Sequence, residues 1–152
     1  MRAVIQRVKN SKVDIDGKTV GSIAEGFMIL YCALDGDTKA DIELLARKTA
    51  NLRVFEDDEG KMNKSILDIG GEILCISQFT LAADTKKGNR PSFINAMEPQ
   101  KASEYYDAFC ECLKNQGVRI VEKGEFGADM QVSLINDGPV TIILDTDIWN
   151  KK

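Results

Sequence analysis

The stretch Ser133-Leu134-Ile135-Asn136-Asp137-Gly138-Pro139-Val140-Thr141-Ile142-Ile143-Leu144-Asp145 decides how this 152-residue chain is read. Strand-forming apolar residues flank a Gly-Pro pair. Proline donates no backbone hydrogen bond and glycine weakens a strand. The pair therefore reads as a turn between two antiparallel strands, Gln131–Ile135 and Val140–Leu144. The alternative is a backbone held in an unusual shape for a purpose. Cis X-Pro bonds make up only about 5–6% of such bonds in folded proteins, so these residues alone favour the turn.

Working outward, Met1 to Val8 has strand character, and Asp16-Gly17 between Lys12–Ile15 and Lys18–Ile23 is a hairpin signal. Phe27 to Leu34 and Glu72 to Phe79 are nearly continuous apolar runs, as buried strands are, and Leu52 to Phe55 adds a short one. Ile42, Leu45, Ala46, Thr49 and Leu52 recur at helical spacing behind a cap in Asp37–Asp41. A second helix starts at Pro99, buries Ala102, Tyr105, Tyr106, Phe109 and Leu113, and ends at Gly117. Val118–Glu122 is a further short strand. With about eight strands, two main helices and few regular β-α-β units, the expected class is α+β. The expected architecture is a largely antiparallel, barrel-like sheet in a single domain spanning residues 1–152.

Composition excludes whole classes of chemistry. The chain has no histidine, which removes Ser-His-Asp and Cys-His machinery, His-ligated zinc and imidazole acid-base catalysis. Cys32, Cys75, Cys110 and Cys112 form no C-x-x-C pair and are expected to be reduced, structural thiols. No metal or cofactor is expected. Nothing resembles a signal peptide, and no run approaches the roughly 20 apolar residues of a membrane span. A soluble cytoplasmic protein is the expectation. The net charge of −4 argues against a general nucleic-acid coat protein, but not against a small basic patch gripping one RNA end.

Two segments carry candidate chemistry. Ser77-Gln78-Phe79-Thr80 leaves a buried strand, where hydroxyls, an amide and backbone N–H groups can face a bound oxygen. Lys86-Lys87-Gly88-Asn89-Arg90-Pro91 is a basic loop suited to phosphate. Each alone is better explained by a strand end or a solvated loop. No Walker A, G-x-G-x-x-G or EF-hand pattern is present.

Together with the opening Met1-Arg2-Ala3-Val4-Ile5-Gln6-Arg7-Val8 and with Asn136–Thr141, these segments resemble the D-aminoacyl-tRNA deacylase family from end to end. Asn51–Phe55, Lys61-Met62-Asn63 and Phe126-Gly127-Ala128-Asp129-Met130 match it as well. The resemblance implies hydrolysis of the ester between a D-amino acid and the terminal adenosine of tRNA, in a homodimer with active sites at the subunit interface. It implies that Ser77, Gln78, Phe79 and Thr80 line the catalytic pocket and that Gly138 and Pro139 reach across from the partner subunit through a cis peptide. It further implies that Arg7 braces that segment and that Met130 and Phe126 sit near the pocket and the adenosine. Lys86, Lys87 and Arg90 are the expected tRNA-phosphate contacts.

The missing histidine fits an already activated ester whose neighbouring ribose hydroxyl assists attack. The protein then needs only to position the ester and stabilise negative charge, with Thr80 as covalent nucleophile the second choice. A rigid Gly-Pro wall against the α-hydrogen would reject L side chains and would reject glycine imperfectly. The competing readings are a catalytically silent RNA-end-binding module and a purely structural dimer.

Overall fold

In the computed structural model, which describes residues 1–150, the stretch around Gly138 is not a turn. It lies inside one strand, Gln131–Asp145, that runs antiparallel to the first strand of the chain, Arg2–Ile15. Pairing runs from Asp14 with Gln131 to Arg2 with Asp145. Between the Gln6–Thr141 and Val8–Asn136 pairs the register shifts, so Asp137, Gly138, Pro139 and Val140 stand opposite Arg7 alone. The expected turn is thus a bulge. Its physical reason is position: among the described residues the strand pairs with one neighbour only, and an edge strand can lose a proline's donor without breaking a ladder bond.

In chain order the elements are β1 (Arg2–Ile15), β2 (Lys18–Ile23), β3 (Gly26–Cys32), α1 (Lys39–Ala50), β4 (Phe55–Glu56), β5 (Met62–Lys64), α2 (Ile66–Ile69), β6 (Glu72–Ser77), α3 (Pro99–Asn115), β7 (Val121–Lys123), β8 (Gln131–Asp145) and α4 (Thr146–Asn150). A 3-10 turn at Phe79–Ala82 follows β6. The main sheet has the order β2-β1-β3-β6-β7, with β8 on the other edge of β1. Three antiparallel pairings centre on β1, as expected. The β3–β6 and β6–β7 pairings are parallel, which the sequence did not signal, because the crossover from β3 to β6 is built from α1, the small β4–β5 pair and α2. Gly26 makes the crossover pairing possible, since a Cβ there would lie 1.8 Å from the Glu72 carbonyl oxygen. The sheet curls far enough that a Cβ on Gly21 of β2 would come 2.9 Å from the Lys123 carbonyl of β7, leaving a nearly closed barrel.

β3 and β6 are buried on both faces, which explains their continuous apolar runs. Phe27, Ile29, Tyr31, Ile73 and Cys75 pack outward against Leu45 of α1 and Tyr106, Phe109 and Leu113 of α3. Their neighbours Met28, Leu74 and Ile76 fill the barrel with Val8, Val13 and Ile23. Tyr31 stacks on Phe109 with ring centroids 4.6 Å apart, and Tyr106 donates to the Cys75 carbonyl at 2.6 Å. The first residue is locked into this core. The Met1 ammonium is fully buried, 2.8 Å from Asp37 and 3.0 Å from the Thr146 hydroxyl. Removing Asp37 would leave an uncompensated buried charge.

Candidate active site

β3, β6 and β7 run in one direction and end together at Cys32, Ser77 and Lys123. Beyond these ends the chain is released from the ladder, and the polar residues that interrupt the apolar pattern come to the surface. The Gln78 N–H makes one further bond to the Tyr31 carbonyl at 2.7 Å. The chain then turns through Phe79–Ala82, closed by Leu81 N–H on the Gln78 carbonyl. Among the described residues the Phe79 and Thr80 N–H groups donate to no protein acceptor, as the first donors of a helical turn do. Phe79 and Thr80 are exposed, while Ser77 and Gln78 are half-buried.

Two cavities flank this segment. The larger, about 440 Å³, is apolar and lies between the end of β3, the Phe93–Met97 loop and the start of α3. Its walls include Cys32, Ser77, Phe79, Phe93, Met97 and Phe126. Phe79 and Phe93 meet edge to face with centroids 5.1 Å apart. The smaller, about 310 Å³, is bounded by Ser77, Gln78, Phe79, Phe126, Met130 and Val132. Ser77, Phe79 and Phe126 therefore face both.

The carboxylates in these walls are Glu98 in the larger cavity and Asp129 in the smaller. The Thr80 hydroxyl accepts a hydrogen bond from Gln78 Nε2 at 2.6 Å, a contact that takes electron density from the oxygen. Glu98 caps α3, and the N–H groups of Gln100 and Lys101 hold its carboxyl below the usual range. Burial pushes the Cys32 thiol up to about 11, so it stays protonated and is placed to donate to the Phe79 carbonyl at 3.6 Å. The site can offer shape, apolar contact and backbone donors. Among the described residues no cluster of His, Cys, Asp and Glu is arranged to hold a metal.

The structure brings Ser77, Gln78, Phe79, Phe126 and Met130 together with Thr80 beside them, but it does not bring Gly138 and Pro139 to them within one chain. That pair sits exposed on the bulge, where the Gly138-Pro139 peptide is cis and Gly138 has φ +126°. Arg7, buried beneath it, donates through Nε to the Asp137 carbonyl at 3.1 Å and through Nη1 to the Val54 carbonyl at 2.7 Å. Lys86, Lys87 and Arg90 are exposed on a finger closed at its base by reciprocal Asp84–Ser92 hydrogen bonds of 2.8 and 2.9 Å. The finger leads into Phe93 at the rim of the larger cavity. Sequence reasoning missed Cys32, Phe93 and Met97. Nothing in their local pattern separates a cavity wall from core, and only the parallel ending of β3 and β6 brings them to the site.

A family model described as D-Tyr-tRNA(Tyr) deacylase matches residues 4–145. A D-aminoacyl-tRNA deacylase of Lactobacillus acidophilus is 57% identical over 95% of this chain and 99% of its own. One of Thermosipho africanus is 55% identical over 96% of this chain and 97% of its own. Among solved structures, one described as a c-Myc DNA Unwinding Element Binding Protein superposes with a TM-score of 0.90 at 44% identity, covering 95% of this chain and 98% of that one. A probable eukaryotic D-amino acid tRNA deacylase superposes at 0.80 with 18% identity, over 94% of this chain and 97% of that one, and so shares the fold.

Proposed function

Because the chain belongs to the D-Tyr-tRNA(Tyr) deacylase family, we propose that it hydrolyses the ester between a D-amino acid and the terminal adenosine of tRNA, releasing both. The observation that carries this reading is the Ser77–Thr80 segment, which presents free backbone donors between two cavities. An aminoacyl ester needs little activation. The adenine ring enters the larger cavity among Phe79, Phe93 and Phe126, and the aminoacyl group enters the smaller one toward Met130. The neighbouring ribose hydroxyl assists water or attacks the carbonyl itself, and the N–H groups of Phe79 and Thr80 stabilise the charge growing on the ester oxygen. The bond from Gln78 to the Thr80 hydroxyl supports a positioning role for Thr80 over a nucleophilic one.

Chirality is read by backbone. A second copy of the chain supplies Gly138 and Pro139, since neither lines either of these two cavities within its own chain. The unpaired edge of β8, with Ile135 and Ile143 exposed, supports such a dimer. Gly138 and Pro139 face the α-hydrogen of a D-substrate, their carbonyls accept from its ammonium, and an L side chain clashes with them. Glycine, having no side chain, is rejected poorly, so glycyl-tRNA mischarged on a non-cognate tRNA is also a substrate. The function belongs to the cytoplasm, where aminoacyl-tRNA is used. In keeping with that, among the described residues no helix is long and apolar enough to cross a membrane.

Deacylation of D- and L-tyrosyl-tRNA is the direct test. Rapid release from the D-ester and none from the L-ester is the expected result, and a D-ester on tRNA lacking the terminal 2′-hydroxyl should be a very poor substrate. Binding of the RNA end without turnover would instead favour a silent binding module. The 44% identity to a structure described as a DNA-binding protein keeps that alternative specific.

A further inference from the structure

Arg2 reaches the site from below and has no role in the reading above. Its Nη1 donates to the Leu81 carbonyl at 2.8 Å, and its Nε donates to Asp145 Oδ2 at 3.1 Å. Leu81 lies in the Phe79–Ala82 turn, so the guanidinium ties the start of β1 and the end of β8 to the segment that carries Phe79 and Thr80. Arg2 pairs with Cys32 across β3 and with Asp145 across β8, so the three form one row across the sheet beneath the site. Two other bonds hold the same segment, Gln78 N–H on the Tyr31 carbonyl at 2.7 Å and the Cys32 thiol on the Phe79 carbonyl at 3.6 Å. Of the three anchors, only Arg2 is charged, and a charge-assisted bond is roughly twice as strong as a neutral one.

A purely stabilising role accounts poorly for this arrangement. The Arg2 side chain is 37% exposed, and ion pairs with that much solvent contribute little to stability. Its fork is instead divided between a carboxylate that fixes its direction and a main-chain carbonyl of the segment proposed to do the chemistry. A carbonyl and the N–H of the following residue belong to one rigid peptide plane. Holding the Leu81 carbonyl therefore restricts how the whole short turn can rotate.

We propose that Arg2 is a positioning residue for deacylation, oriented by Asp145, that fixes the Phe79–Ala82 turn so the backbone donors of Phe79 and Thr80 meet the ester oxygen in the geometry of attack. The proposal rests on the deacylase reading. Arg2 touches no reacting atom. Ground-state binding comes from the two cavities and the basic finger, which Arg2 does not line, so its loss falls on the rate constant at saturation and leaves KM in place. Lysine keeps the charge but loses the fork, which separates geometry from field.

The test is single-turnover deacylation of D-tyrosyl-tRNA by the unsubstituted protein and by R2Q, R2K and D145N, with Tm measured for each. R2Q should lose roughly 10–100-fold in the saturating rate constant, as small misplacements of reacting groups do. Its half-saturating concentration should stay within about twofold of the parent's. R2K should recover part of the loss, and D145N should fall between R2Q and the parent. An unchanged rate constant in R2Q, or a loss confined to half-saturation, overturns the positioning role. If R2Q does not fold, D145N decides, because it keeps the guanidinium and takes the charge from its orienting partner, while the asparagine oxygen can still accept from the Asp147 N–H as Asp145 Oδ1 does. A slowed D145N upholds the role and an unaffected one overturns it. If the unsubstituted protein fails to deacylate, the deacylase reading falls and takes this inference with it, so the two failures are distinct.

Discussion

In the proposed function, Gly138 is where backbone conformation and specificity meet in one residue. Its φ of +126° is closed to most side chains, and a Cβ would lie 2.9 Å from Val140 Cγ2 and 3.0 Å from Arg7 Nη2. Gly138→Ala is therefore expected to cost about 1–3 kcal/mol of stability and to shift the segment. If this segment is the chiral wall, discrimination should suffer more than speed. The ratio of D- to L-tyrosyl-tRNA turnover should fall at least tenfold while D-turnover falls less, and an unaltered ratio in a folded variant would remove the wall. The need for glycine was legible from the sequence as a backbone peculiarity. Its shape was not, because proline and glycine announce a break without saying whether the chain reverses or merely bulges. The ion pair of Met1 with Asp37 was equally hidden. Asp37 stands at the entrance to a helix and reads as part of its cap, and only the fold brings an ammonium beside it.

Among the elements, the helices were the most legible, since α1 and α3 bury most of the residues their spacing marks, with Ala102 half-buried and Leu52 lying beyond the end of α1. Strand identity was also readable from apolar runs, but strand partnership was not. Parallel neighbours are chosen by contacts far apart in sequence, and β3 and β6 carry no local sign of each other. The cost of missing that pairing was the site itself, because the cavity walls come from strand ends that the parallel arrangement aligns. The basic finger is an element whose role can be isolated. Its tip projects Lys86, Lys87 and Arg90 away from the core, so Lys86→Gln with Lys87→Gln should leave Tm nearly unchanged. Neutralising two phosphate contacts on a single strand should reduce the slope of log affinity against log salt by about 1.4. KM for D-tyrosyl-tRNA should rise accordingly, and a KM that stays put would place the phosphates elsewhere.

At the scale of the molecule, charge and assembly set the terms. With a net charge of −4, the proposed hold on RNA has to come from a local basic patch such as the finger, and it should fade as salt rises. Assembly is proposed to complete the site, and the free edge of β8 is where it can be broken without touching the cavities. Ile143 is 68% exposed on that edge. Ile143→Glu is expected to convert a dimer to a folded monomer in sedimentation and to abolish deacylation. A monomer with full activity would show that one chain suffices.

The pairing of β1 with β8 also bears on how the protein is made. β1 leaves the ribosome well before β8, yet the two are laddered along nearly the whole of β1, and Met1 is tied to Thr146 as well. With synthesis at about 5–20 residues per second, an emerging chain waits several seconds with that edge of β1 unclaimed. During that interval the edge is a template for any extended segment nearby. Helix α1 and the β1–β2–β3 meander can form early, but the barrel, the seat of the Met1 ammonium and the bulge bearing Gly138 all appear together, once β8 has emerged.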